Sequence, residues 1–161
     1  NLLLYVKPLE AIIRAYGMPD VLIGHSLGVM ANIVALKEFT EQPKLLISIT
    51  PVVELAQNFT GMMNYAAVKA DDQLKWFNAF HEYYQLPVSY FDMKSLYALH
   101  ATTKHVVFYD QEDELLPYAQ LEEFLKQQPQ ILTKELNGTG HYKILKEQAL
   151  IAAIIALTED I

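Results

Sequence analysis

The stretch Gly24-His25-Ser26-Leu27-Gly28 constrains this chain more than any other, because it joins an apolar strand to an amphipathic helix with a serine at the bend. Met18-Pro19-Asp20 reads as a turn, Val21-Leu22-Ile23 as a buried strand and residues 29–39 as a helix. A serine is presented there only if the strand reverses abruptly into the helix. That predicts a strained backbone at Ser26 and no room for side chains at Gly24 and Gly28. The first helical N–H groups, beginning with that of Leu27, then point at any oxyanion that forms beside Ser26. A G-x-S-x-G pattern arises by chance in about one chain in twenty of this length. Its glycines also suit an ordinary βα turn whose serine caps the helix. The apolar strand before the motif and the helix after it favour a presented nucleophile.

The rest of the chain frames this bend. Leu9, Ile12, Ile13 and Tyr16 recur at helical spacing, so residues 8–16 are predicted helical, with Pro8 near the first turn and Gly17 at the end. Beyond the break at Glu41-Gln42-Pro43, residues 44–50 form a second apolar strand stopped by Pro51, completing a parallel βαβ unit. Between 52 and 100 the strand pattern gives way to helices rich in aromatics and methionine, with Asp71 or Asp72 capping the second and Asp92 a third. An insertion of this kind between parallel strands predicts a lid, whose Trp76, Phe77, Phe80 and Tyr84 serve both as core and as the wall of a substrate pocket. Residues 105–109 resume the sheet and end in the acidic loop Asp110-Gln111-Glu112-Asp113-Glu114. A helix to about residue 128, a fourth strand over 130–136, a glycine-rich loop ending at His141 and a closing helix over 144–157 follow.

Composition narrows the function. At 161 residues and 18.4 kDa the chain is a single domain, and 52% apolar residues with a mean hydropathy of +0.12 fit a parallel sheet buried on both faces. A net charge of −7 without a basic cluster argues against a nucleic-acid partner. The absence of cysteine excludes disulfides and Cys-ligated metal centres and agrees with an expected cytoplasmic location. The longest apolar run, over 149–157, is too short to span a bilayer. The chain opens on Asn1-Leu2-Leu3-Leu4 without methionine and is expected to be a processed or truncated piece.

Loops that follow the strands of a parallel sheet share one edge, so Ser26, the acidic loop and His141 are predicted to converge there. A serine nucleophile needs a base to take its proton and an acid to orient that base, and the chain order serine, acid, histidine supplies them. The acid itself is open on this reading. Asp110 at the strand end suits a turn-forming side-chain contact better than catalysis, and Glu112 is less suited still. His25 precedes the serine but points away from it, as a packed or hydrogen-bonded residue. His81, His100 and His105 lack ligand spacing, so neither a metal nor another cofactor is implied.

The elbow 24–28, the stretch Tyr109-Asp110-Gln111-Glu112-Asp113-Glu114-Leu115-Leu116-Pro117 and the turn Gly138-Thr139-Gly140-His141-Tyr142-Lys143-Ile144-Leu145 together resemble the C-terminal portion of a lidded α/β-hydrolase. The second stretch resembles that family's H-D-x-x-D-x-x-V-P loop and the third its G-x-G-H-x-x-[IL]-L turn. Tyr109 stands where histidine is usual, and Val29 where a second glycine often follows the elbow. The resemblance implies a parallel sheet of about four strands with a helical lid over 52–100. It also implies a serine esterase acting on small, largely apolar esters, with Ser26 as nucleophile, His141 as base, Asp113 as acid and the Leu27 N–H as an oxyanion donor. In that family a strand before the elbow helix supplies the second oxyanion donor, and nothing before Leu9 is expected to do so. A non-catalytic, hydrolase-like binding module is therefore the alternative. Without that strand, Val21-Leu22-Ile23 would be an exposed apolar edge, so the chain is expected to form a homo-oligomer or to associate with its preceding segment.

Overall fold

The computed structural model describes residues 2–159 and 161. Four parallel strands, β1 (Val21–His25), β2 (Leu45–Ile49), β3 (Lys104–Tyr109) and β4 (Leu132–Glu135), lie in the spatial order β1-β2-β3-β4. Val21 pairs with Leu45, Leu45 with Lys104 and Val106 with Leu132. Parallel neighbours need crossover connections, and α2 (Leu27–Leu36) and α6 (Tyr118–Gln127) supply the first and third. The connection between β2 and β3 is an insertion holding α3 (Leu55–Tyr65), α4 (Ala70–Tyr84), a 3-10 turn (Val88–Tyr90) and α5 (Met93–Leu96).

Alternation along the strands builds two cores. Leu22, Leu46, Val107 and Tyr109 face α1 (Leu3–Tyr16), α2, the insertion and α6. Leu45, Ile47, Ile49, Val106 and Phe108 face Ile144 and α8 (Gln148–Glu159). Burial on both faces holds only at the centre: every residue of β2 is buried, whereas all four of β4 are exposed and Ile23 on β1 is 46% exposed. The outer strands are sheet edges, and the second layer covers them incompletely. α1, packed on α2, adds exposed Leu4, Tyr5, Ile12 and Tyr16.

Several boundaries differ from the sequence reading. α1 begins at Leu3 and carries Pro8 in its interior, because burial of Leu2 and Val6 draws the chain into the helix despite the hydrogen bond that proline removes. β1 runs on to His25, and α2 starts at Leu27 rather than at Val29, so the whole change of direction falls on Ser26. Asp71 and Asp72 occupy the first turn of α4 instead of its cap, which is Lys69. Asp92 does cap α5, its carboxylate accepting from the Lys94 N–H at 2.9 Å. The closing helix is broken: α7 (Gly140–Lys143) and a 3-10 turn (Ile144–Lys146) seat Ile144 under the sheet, and extended Glu147 separates them from α8. No described helix is long and apolar enough to cross a membrane.

At the end of the sheet away from Ser26, buried His105 ties three elements together. Its Nε2 lies 2.8 Å from Ser48 Oγ on β2, and its Nδ1 lies 3.0 Å from the Tyr97 hydroxyl just beyond α5. Desolvation lowers the His105 pKa to about 4, so the folded ring stays neutral where the unfolded one is protonated. Between the ordinary value of 6.5 and about 4 the unfolded chain therefore binds the extra proton, and stability falls as pH falls through that window. Complete passage through it costs about 3 kcal/mol. Urea titrations at pH 7 and pH 4.5 are expected to show most of this loss, and His105→Gln to reduce the difference. A pH dependence that His105→Gln leaves intact would assign it to other groups.

Candidate active site

The turn at Ser26 is built by strain and by one missing side chain. Ser26 adopts φ 54° and ψ −121°, outside the range that L residues favour, with its N–H held by the Ile49 carbonyl at 2.9 Å. A Cβ at Gly24 would sit 2.7 Å from Asn32 Nδ2 and 2.8 Å from the Val29 nitrogen, so only glycine lets β1 pass so close beneath α2. Gly28 differs from expectation. A Cβ there would meet nothing within 4 Å, because α2 already begins at Leu27 and carries position 28 clear of the strand. Gly24→Ala is accordingly expected to destabilise by about 1–3 kcal/mol through overpacking. Gly28→Ala should be neutral or mildly stabilising, with both read from denaturant midpoints. Equal losses at the two positions would contradict this geometry.

Three side chains from three strand ends form a hydrogen-bonded line. Ser26 Oγ, after β1, lies 2.9 Å from His141 Nε2. His141 Nδ1 lies 2.7 Å from Asp113 Oδ2 in the loop after β3. His141 and the Asp113 carboxyl are both buried, at 3% exposure. The other Asp113 oxygen accepts the Leu115 and Leu116 N–H groups at 2.8 and 2.9 Å, which fixes the carboxylate before it meets the imidazole. Leu27 is the first residue of α2, so its N–H belongs to the helix N-terminal donors that have no intrahelical acceptor.

Asp110 is a buried clamp. Its Oδ1 accepts from the Glu112 N–H at 3.0 Å, the turn contact expected at a strand end. Its Oδ2 reaches across to the loop after β4, accepting from the Thr139 and Gly140 N–H groups at 2.6 and 2.7 Å. Burial pushes the Asp110 carboxyl up, but the bonds from Gly140, Glu112 and Thr139 together hold it below its ordinary value. Glu114 continues the clamp by accepting the His141 N–H at 3.1 Å. Gly140 holds left-handed backbone at φ 61°, which favours glycine, and a Cβ there would push aside the Glu114 carboxylate, 2.7 Å from its position. Sequence reasoning missed this reach of Asp110 and Glu114, because the groups they hold are backbone N–H groups of Thr139, Gly140 and His141, which no side-chain identity announces.

The aromatic residues of α4 divide. Trp76, Phe80 and Tyr84, one helical turn apart, join Leu27, Leu55 and Phe59 around an apolar cavity of about 560 Å³. Phe77 lies a quarter-turn away, packed against the core and edge-on to Trp76, and is not among the residues around this cavity. Tyr83 also reaches the cavity and was not singled out in advance. Just beyond β2, Thr50 is a second strained position, with φ 39° and a buried hydroxyl that has no hydrogen-bond partner among the described residues.

No family model and no curated protein matches the chain. Solved structures do. An α/β hydrolase enzyme from a metagenome of sediments of the Mar Chica lagoon in Morocco superposes with a TM-score of 0.67 at 16% identity, over 99% of this chain and 70% of that one. A carboxylesterase of the thaumarchaeon Nitrososphaera gargenis gives 0.62 at 11% identity, over 100% and 74%. The butyrate-bound esterase Est2 of Thermogutta terrifontis gives 0.61 at 14%, over 98% and 64%. This chain is thus matched almost entirely while spanning between 64% and 74% of those structures, as expected of the C-terminal portion of such a fold. The chain has the α/β-hydrolase fold.

Proposed function

We propose that this chain is a serine hydrolase that cleaves carboxylic esters of small, largely apolar substrates through an acyl-enzyme. The observation that carries the reading is the line Ser26 Oγ, His141 Nε2, His141 Nδ1, Asp113 Oδ2 at 2.9 and 2.7 Å, with its serine at a strained strand-to-helix bend. Ser26 Oγ attacks the acyl carbon as His141 Nε2 takes its proton, and Asp113 stabilises the imidazolium through Nδ1. The carbonyl oxygen becomes an oxyanion beside the Leu27 N–H, at the positive end of α2. Collapse expels the alcohol, which leaves with the proton from His141. Water then attacks the acyl-enzyme by the same route and frees the carboxylic acid and Ser26. Labelling of Ser26 by a fluorophosphonate probe, together with hydrolysis of p-nitrophenyl acetate, tests the reading. A folded protein that does neither would instead be a hydrolase-like binding module.

The insertion over 52–100 acts on this reading as a lid, and its cavity as the acyl pocket, because Leu27 is wall and oxyanion donor at once. Among the described residues the lining carries no charged side chain. Each methylene buried there would contribute about 0.8 kcal/mol, roughly fourfold in kcat/KM. The double variant Trp76→Ser, Phe80→Ser is therefore expected to flatten the preference for butyl and hexyl over acetyl esters while changing acetyl turnover little. Uniform loss across chain lengths would mean that these rings only hold the fold.

A further inference from the structure

His25 immediately precedes Ser26, yet its ring serves another residue. Its Nε2 donates to the backbone carbonyl of His141 at 3.0 Å, which fixes the proton on that nitrogen. The two imidazole rings lie 4.8 Å apart, and Tyr142 closes the third side with its ring at right angles to His141. The elbow thus grips His141 twice, through the ring at Ser26 and through the backbone at His25.

We propose that His25 is a positioning residue, whose Nε2–H to His141 carbonyl bond ties the loop of the base to β1 and thereby sets the His141 to Ser26 separation. The proposal rests on the serine hydrolase reading above. The loop after β4 needs such a tie because Gly138 and Gly140 both take left-handed backbone, and its other anchors pull elsewhere. Asp110 and Glu114 hold the N–H groups of Thr139, Gly140 and His141 toward the loop after β3. With those bonds alone, His141 stays with Asp113 but is not held to Ser26. The strut must also be uncharged. When His141 takes the serine proton it becomes a cation, and a second cation at 4.8 Å would oppose that step. Desolvation holds the His25 pKa below its ordinary value, so the ring donates its proton while neutral at pH 7.

The test compares His25→Leu, His25→Gln and His25→Lys for the rate of fluorophosphonate labelling, for kcat and KM on p-nitrophenyl acetate, and for amide exchange over residues 139–143. His25→Leu is expected to lower labelling and kcat on the order of 10- to 100-fold, the cost of a misplaced catalytic group, with KM little changed. His25→Gln, a neutral donor, should recover most of the loss, whereas His25→Lys should not. Exchange over 139–143 should quicken about tenfold in His25→Leu, as for loss of one hydrogen bond, and less in His25→Gln. Labelling at the wild-type rate in His25→Leu, a change in KM alone, or a glutamine no better than leucine would overturn the proposal. Exchange reads the tie without any activity. If the wild-type protein fails to label while exchange responds as expected, the reading of Ser26 falls and the tie stands. If exchange is unchanged, the tie falls whatever the labelling does. A thermal midpoint for each variant separates these results from unfolding.

Discussion

Ser26→Ala is expected to abolish fluorophosphonate labelling and to lower ester turnover by roughly a millionfold, as loss of the nucleophile does where the triad acts as a unit. The effect is so large because no other group stands where Ser26 Oγ does, 2.9 Å from His141 Nε2 at the N-terminus of α2. Alanine removes the hydroxyl and leaves the bend, since the Ser26 N–H to Ile49 carbonyl bond and the space at Gly24 do not involve the side chain. Circular dichroism and the unfolding midpoint should therefore match the parent protein. Labelling that survives in Ser26→Ala would sink the mechanism, because the modified residue would then lie elsewhere.

Asp113→Asn should reduce kcat about ten-thousandfold. An amide can still accept from the Leu115 and Leu116 N–H groups, so the loop keeps its shape. Its NH₂ then faces His141 Nδ1, which must accept instead of donate, and the proton moves to Nε2, where the ring can no longer serve as base for Ser26. Asp110→Asn makes the informative comparison. There the amide keeps one acceptor oxygen for the Thr139 and Gly140 N–H groups and turns its NH₂ on the Glu112 N–H, so one side of the clamp is left unmatched. The expected cost is about 1–3 kcal/mol of stability, with a loss of kcat far below that of Asp113→Asn. The reverse order in kcat, measured on folded protein, would transfer the role of acid to Asp110.

The parts of the fold that sequence anticipated are those written in local pattern. Val21-Leu22-Ile23 and residues 44–50 are short apolar runs bounded by proline and glycine, and each is a strand. The convergence of Ser26, the acidic loop and His141 follows from parallel topology, which brings every loop after a strand to one edge, whereas the choice of Asp113 within that loop came from the resemblance. What escaped depends on partners without a sequence signature. His25 is bonded to a backbone carbonyl 116 positions away, and Asp110 to backbone N–H groups 29 and 30 positions away. No side-chain identity at the far end announces such a contact. The early start of α1 was hidden for a related reason, since Pro8 is the stronger local signal and the burial of Leu2 and Val6 that overrides it is tertiary.

Ser26 and Thr50 sit at the ends of neighbouring strands, and both hold backbone angles that ordinary residues avoid. Each costs about 1–3 kcal/mol, a sizeable fraction of what keeps a domain of this size folded. Selection for heat resistance and selection for turnover therefore pull in opposite directions at this one rim of the sheet. A glycine at position 26 would relax the bend and harden the protein while removing its nucleophile. Laboratory evolution scored on thermal survival alone would be expected to drift toward sturdier, inert descendants, with its gains collecting first at the position that the chemistry requires.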